Sequence, residues 1–205
     1  MVEARTTRPP LGSTPRQCNN PGPNERTKQR MNEPTRTVIF SHGHLSSPQS
    51  LKIIELEPVA KETGFDTLAI DYRDLQDDPV ARADRLVQTI RQQREKPILV
   101  GSSLGGWVSI RAAETLPVAG LFLMAPALFL EDRVPDGVVP ESYEPHCDRI
   151  TIVHGWHDDI IPWENSLRYA EASRASLHLL DSDHRLESAL PELKSIFERF
   201  LWQLT

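Results

Sequence analysis

Residues 101–105 read Gly-Ser-Ser-Leu-Gly, a match to G-x-S-x-G directly after the apolar run Pro97-Ile-Leu-Val100. That motif carries chemistry where a strand turns sharply into a helix and leaves its central serine strained and exposed at the sheet's end. The flanking glycines make room, because side chains two residues either way would meet the neighbouring backbone. In this register Ser103 is the exposed serine, and Ser102 is a spacer expected to point away from the cleft. A helix beginning at Leu104 aims its positive end at the same place, which favours developing negative charge. A serine hydroxyl is a weak nucleophile, so it needs a base, and the base needs an orienting acid. Both should follow later strands, in the order Ser, Asp, His.

Both are present. One apolar run leads into Val153-His-Gly-Trp-His-Asp-Asp-Ile-Ile-Pro162, and the next into Leu180-Asp-Ser-Asp-His-Arg185. His184 is the candidate base. Asp158 and Asp159 are candidate acids, and either could instead cap the helix that Pro162 opens. Asp181 and Asp183 are rivals, but they sit so close to His184 in sequence that reaching its far ring nitrogen is awkward. The chain has seven histidines, and His42/His44 and His154/His157/Asp158 have ligand-like spacings. No Glu-bearing helix motif or dense His/Asp run accompanies them, so no metal or other cofactor is expected. Asp71-Tyr72-Arg73 follows the second strand and either lines the substrate cleft, through Tyr72, or forms a structural salt bridge. Trp107, Trp156 and Trp163 lie near motif positions. Core packing is the default for each, and Trp156 is the best candidate for a cleft wall.

These residues need a scaffold to bring them together. The pattern predicts strands over 37–41, 66–71, 97–100, 119–125, 149–153 and 176–180. It predicts helices over 50–62, 79–95, 104–116, 162–172 and 187–202. Leu51, Ile54, Leu56 and Val59 are expected to form the apolar face of the first helix, and Ala83, Leu86, Val87 and Ile90 that of the second. Strands alternate with helices, and the strands are continuous apolar runs. Both features argue for an α/β fold with a parallel sheet of about six strands, flanked by helices on both sides. Residues 126–148, with Pro135, Pro140 and Pro145, read as an excursion over the sheet edge, too small for a full cap domain.

Bulk properties narrow the field. A chain of 205 residues, 39% hydrophobic and 25% charged, suits one globular domain. The net charge of −6 and pI near 5.7 leave no basic footprint for nucleic acid. Cys18 and Cys147 make no disulfide framework, which is compatible with the cytoplasm. The first residues lack a secretory apolar core. Val118–Leu130, broken by Gly120 and Pro126, falls short of the roughly 20 apolar residues a membrane span needs. Residues 1–35 are polar and Pro-rich and are expected to form a disordered extension, with the folded domain over 36–205.

Ser41-His-Gly-His-Leu-Ser-Ser-Pro48, Asp71-Tyr-Arg73, Gly101–Gly106, His154-Gly-x-x-Asp-x-x-Ile-Pro162 and the late His184 together resemble the α/β-hydrolase superfamily. Within it they are similar to the compact, nearly lidless YqiA-like serine esterases. The resemblance covers roughly residues 36–204. It implies a minimal α/β-hydrolase domain without the first two antiparallel strands of larger members. It implies hydrolysis of carboxylic esters by a Ser103, Asp158 and His184 triad, the H-G-x-x-D-x-x-(V/I)-P pattern placing the acid at Asp158, while the small 126–148 excursion predicts an open cleft and short acyl chains. His42-Gly43 matches the family's His-Gly, which implies oxyanion-hole N–H groups on His44 and Leu104. Many relatives carry a bulky apolar residue where this chain has His44, so a more polar acyl side is expected. The implied partner is a small-molecule ester, without nucleic acid or membrane insertion. An acyl-thioesterase or amidase on the same triad, or a non-catalytic binding module of this fold, are the alternatives. Oligomeric state is not legible.

Overall fold

The computed structural model describes residues 35–130, 139–147 and 149–205. The expected extension, apart from its last residue, and the centre of the 126–148 excursion lie outside the described residues. In chain order the elements are β1 (Thr37–Ser41), α1 (Leu51–Glu62), β2 (Asp66–Ile70), a 3₁₀ turn (Arg73–Leu75) and α2 (Pro79–Arg91). Then come β3 (Ile98–Ser102), α3 (Leu104–Thr115), β4 (Gly120–Met124), β5 (Ile150–Gly155), α4 (Trp163–Ser173), β6 (Ser176–Leu180) and α5 (Leu190–Trp202). Every strand and helix expected from the sequence is present. The largest end shifts are at α2, which stops at Arg91, and α5, which starts at Leu190.

The strands form one six-stranded sheet in the order β2-β1-β3-β4-β5-β6, and every pairing is parallel. A parallel sheet leaves both faces to be covered, and the apolar side chains divide accordingly. In β1, Val38 and Phe40 join the core under α1 and α5, while Ile39 joins the core under α2, α3 and α4. Phe122 of β4 meets Phe197 of α5 edge to face, with ring centroids 4.9 Å apart. Such pairs contribute about 0.5–1.5 kcal/mol beyond area burial.

Helix α1 keeps Leu56 and Val59 of the expected face against the core and turns Leu51 and Ile54 out. Ile53, Leu56 and Ala60 are buried, whereas Leu51 and Ile54 are 42% and 51% exposed. The spacing i, i+3, i+7 of the buried set is helical, but so is that of the exposed set, and only docking on the sheet decides between them. Helix α2 buries Ala83, Leu86, Val87 and Ile90 as expected, and Arg82 beside them.

The chain runs from β1 out to β2 on one side, then crosses to β3 on the other. The carboxyl ends of β1 and β3 therefore flank a topological switch point, where open α/β sheets bind ligands. His42-Gly43 leaves β1 there, and Ser102-Ser103 leaves β3 beside it.

Candidate active site

Ser103 has φ 53° and ψ −119°, a left-handed conformation that a residue with a Cβ rarely adopts. The surroundings hold it in place. Its N–H donates to the Met124 carbonyl at 2.9 Å, and its own carbonyl accepts from Gly106 and Ala127 at 2.9 and 3.1 Å. Such strain costs about 1–3 kcal/mol and persists where the fold over-determines it, as functional sites do. The glycines explain how the turn closes. A Cβ at Gly105 would run into the carbonyl of Ser41, and one at Gly101 into the backbone of Gly105 and Gly106. Neither obstacle is a movable side chain. Gly105→Ala is therefore expected to destabilise the protein by about 3 kcal/mol, read as a lower urea midpoint at unchanged m-value.

The loop after β5 carries the acid. The Asp158 side chain is fully buried, and its carboxylate accepts four hydrogen bonds. Oδ1 takes the backbone N–H groups of Ile160 and Ile161 at 2.9 and 2.8 Å. Oδ2 takes His184 Nδ1 at 2.8 Å and His154 Nε2 at 2.9 Å. Burial alone would raise the Asp158 pKa, but the bonds from His154, His184, Ile161 and Ile160 outweigh it and hold the carboxyl well below the usual range. The other candidate acids sit elsewhere. Asp159 is exposed. Asp181 pairs with His157 on the surface at 2.8 Å, and Asp183 turns back onto the N–H groups of Arg185 and Leu186.

His184 donates from Nδ1, because a buried ionised carboxylate can only accept. Its Nε2 is left as the basic nitrogen. Ser103 and His184 line one cavity of about 360 Å³, together with Gly43, His44, Ser102 and the first turn of α1. Ser102, expected to face away, also borders this cavity while remaining buried in β3.

The His42-Gly43 turn is built from beneath. His42 Nε2 accepts the Tyr72 backbone N–H at 3.0 Å. The proton of the neutral ring is therefore on Nδ1, which donates to the Gly43 carbonyl at 2.8 Å. Burial, the leading cause, lowers the His42 pKa and keeps this tautomer neutral. Arg82, 0% exposed, donates to the same carbonyl at 3.4 Å and to the carbonyls of Leu75 and Gln76 at 2.8 and 3.1 Å. In a trans peptide the C=O and the following N–H point in opposite directions. With the Gly43 carbonyl drawn inward, the His44 N–H is directed the other way, towards the cavity that Gly43 and His44 line. Gly43 also abuts the nucleophile turn, since a Cβ there would stand 3.3 Å from that of Ser103. Among the described residues, neither the His44 nor the Leu104 N–H has a protein acceptor.

Two expectations for the cleft are corrected. Tyr72 does not line it: the side chain is 0% exposed, its hydroxyl pairs with Ser41 Oγ at 3.0 Å, and Arg82 lies over its ring. Asp71 and Arg73 form the surface salt bridge beside it. Trp156 is not among the described residues that line the cavity of Ser103 and His184 either. It stands 48% exposed, edge to face with Trp163 at 4.8 Å, and its backbone N–H donates to the Leu180 carbonyl. The His44 ring borders the cavity and pairs with Asp77 Oδ1 at 3.0 Å.

Three contributors escaped the sequence reading. His154, whose spacing suggests a metal ligand, donates from Nε2 to Asp158 and accepts at Nδ1 from Ser166 Oγ at 2.7 Å. Arg82 belongs to no motif, yet it is buried within α2. Lys52 belongs to no motif either, yet it lines the cavity.

A six-stranded parallel sheet, a strained serine between β3 and α3, and an acid–histidine pair beyond β5 and β6 define an α/β-hydrolase fold. The chain belongs to the alpha/beta hydrolase superfamily. It is 30% identical to a Xanthomonas campestris pv. campestris structure assigned to that superfamily, covering 82% of this chain and 99% of that one with a TM-score of 0.71. Residues 37–138 match an uncharacterised protein family, UPF0227. The mouse "Palmitoyl-protein thioesterase ABHD10, mitochondrial" is 26% identical over 195 residues, taking in 70% of this chain and 65% of the relative. This chain thus spans about two thirds of the length of the curated relatives it matches. A Xanthomonas campestris structure described as an a/b serine hydrolase without lid has the same fold, at 18% identity, 83% coverage of both chains and a TM-score of 0.68.

Proposed function

We propose that this chain is a serine hydrolase of carboxylic esters, with Ser103 as nucleophile, His184 as general base and Asp158 as the acid that orients it. One observation carries the reading: His184 Nδ1 bonds the buried Asp158 at 2.8 Å, which leaves Nε2 as the basic nitrogen in a cavity that Ser103 shares. Ser103 Oγ attacks the substrate carbonyl as His184 Nε2 takes its proton. The backbone N–H groups of His44 and Leu104 receive the oxyanion, a contribution of about 2.7–4 kcal/mol per donor in comparable sites. His184 then protonates the leaving oxygen, and the C–O bond breaks to give an acyl-Ser103 ester. Water, deprotonated by the same nitrogen, attacks that ester and returns Ser103 to its hydroxyl form. Leu45 and Leu51 on the cavity wall suit a short acyl chain.

A second reading, thioester cleavage, is favoured by the thioesterase relatives. It uses the same residues, with a thiol leaving in place of an alcohol.

A fluorophosphonate probe is expected to label Ser103 and to leave Ser103→Ala unlabelled, as read by intact mass and peptide mapping. Labelling that persists in Ser103→Ala and vanishes in Ser102→Ala would overturn the assignment of the nucleophile. Parallel rates on acyl p-nitrophenyl esters and S-acyl N-acetylcysteamines of two to eight carbons decide between oxygen and sulfur leaving groups.

A further inference from the structure

The first turn of α1 brings Ser50, Leu51 and Lys52 to the cavity that holds Ser103 and His184. Lys52 is partly buried, and among the described residues its ammonium has no hydrogen-bonded or ion-paired partner. The acids around it are already engaged. Glu187 takes the Arg185 guanidinium at 2.9 Å. Asp183 takes the N–H groups of Arg185 and Leu186, and Asp158 takes the four donors described above. Burial lowers the Lys52 pKa to about 8, against the opposing negative charges of Glu187, Asp158 and Asp183. Nothing else on α1 neutralises this end of the cavity. The helix has no acid in its first turn, and Ser50 makes no capping bond with its side chain. A cation drawn partly out of water with no direct ion pair is costly unless a ligand supplies one.

We propose that Lys52 binds a carboxylate or phosphate carried by the substrate, so that the enzyme's substrates are anionic esters or thioesters. The proposal rests on the reading of Ser103 as the nucleophile. It places the charge-recognition element in the first turn of α1, at the far end of the β1–α1 loop that carries the His44 N–H. Substrate charge and oxyanion are thereby held by neighbouring parts of one segment.

The test uses two matched ester pairs. In the acyl arm, the 4-nitrophenyl hemiester of adipic acid is compared with its methyl ester. In the leaving-group arm, 4-carboxyphenyl butyrate is compared with its methyl ester. At pH 7 the anionic member of at least one pair is expected to have about tenfold higher kcat/KM, the scale of one charge-assisted hydrogen bond. The arm that shows it tells which side of the ester carries the anion. Lys52→Met is expected to bring that ratio to about one, and Lys52→Arg to restore most of it.

The pH dependence of the ratio has a definite sign. Lys52 is charged below its pKa, so the preference is present at pH 7 and lost as pH rises through about 8. The groups facing it are Glu187, Asp183, Arg185 and His184 beyond β6, and Asp158 beyond β5. The Glu55–Lys194 pair, at 2.8 Å, bridges α1 to α5 nearby. His184 acts on both members of a pair and cancels in the ratio. Turnover of the neutral esters without charge preference in either arm, or a preference that survives Lys52→Met, overturns the proposal and leaves the Ser103 reading standing. No turnover of any of the four esters, with no probe labelling at Ser103, overturns both.

Discussion

Asp158→Asn is expected to lower kcat by about four orders of magnitude, with KM little changed. The carboxylate accepts two bonds on each oxygen, from two backbone N–H groups and two imidazoles. An asparagine can turn either way, but its NH2 then faces two donors that have lost their acceptor. If the NH2 faces the histidines, His184 no longer finds an acceptor for Nδ1–H, and the tautomer with a basic Nε2 loses its support. If it faces Ile160 and Ile161, the loop itself is opened. Both arrangements leave buried polar groups unpaired, at about 1–3 kcal/mol each, so a lower urea midpoint accompanies the loss of rate. The pH dependence follows from the depressed pKa of Asp158. Its stabilisation is present above the ordinary carboxylate value, about 3.9, and is lost as pH falls through the lower folded-state value. The stability gap between wild type and Asp158→Asn should therefore be flat from neutral pH to about pH 5 and close only in stronger acid. A gap that closes near pH 6 would mean that another group carries it.

Arg82→Met is expected to damage both fold and rate. Methionine matches much of the buried volume but gives up the donors to the carbonyls of Leu75, Gln76 and Gly43. The predicted cost is about 3 kcal/mol, or a Tm drop of roughly 10 °C for a domain of this size. The rate effect separates this from simple destabilisation. With one of its two anchors gone, the Gly43 carbonyl is free to rotate, and the His44 N–H rotates with it. A donor misdirected by a fraction of an ångström acts on the transition state more than on the ground state. At a temperature where the variant is fully folded, kcat should fall about tenfold to a hundredfold while KM holds. A wild-type kcat in the fully folded variant would mean that Arg82 supports only the fold.

The order of elements, the position of the strained turn and the acid–histidine pair were legible because each leaves a local mark. Gly101 and Gly105 are required by backbone contacts, and a parallel sheet demands unbroken apolar strands. The cleft walls left no such mark. Tyr72 and Trp156 both follow strands and are both amphipathic, yet one is sealed beneath Arg82 and the other stands outside against Trp163. Their direction depends on how loops pack, which spacing along the chain does not encode. The same holds for Leu51 and Ile54, whose helical spacing fits a buried face as well as the one that docks. Arg82, His154 and Lys52 were hidden for another reason. Arg82 and His154 act on partners at least four residues away, Lys52 on a cavity that distant loops complete, and a single charged or polar residue in a helix or strand reads as ordinary surface until those surroundings are in place.

The acid and the base belong to strands of unequal standing. Asp158 hangs from β5, which is paired on both sides, while His184 hangs from β6, which among the described residues pairs with β5 alone and is partly exposed along its length. Sheet margins open at lower free energy than sheet interiors. A fluctuation that peels β6 away therefore separates the proton acceptor from its orienting group while the remaining strands and most of the core stay folded. Heat should silence such a protein before it melts it, and the temperature at which rate is lost becomes a local measurement of one strand rather than of the whole domain.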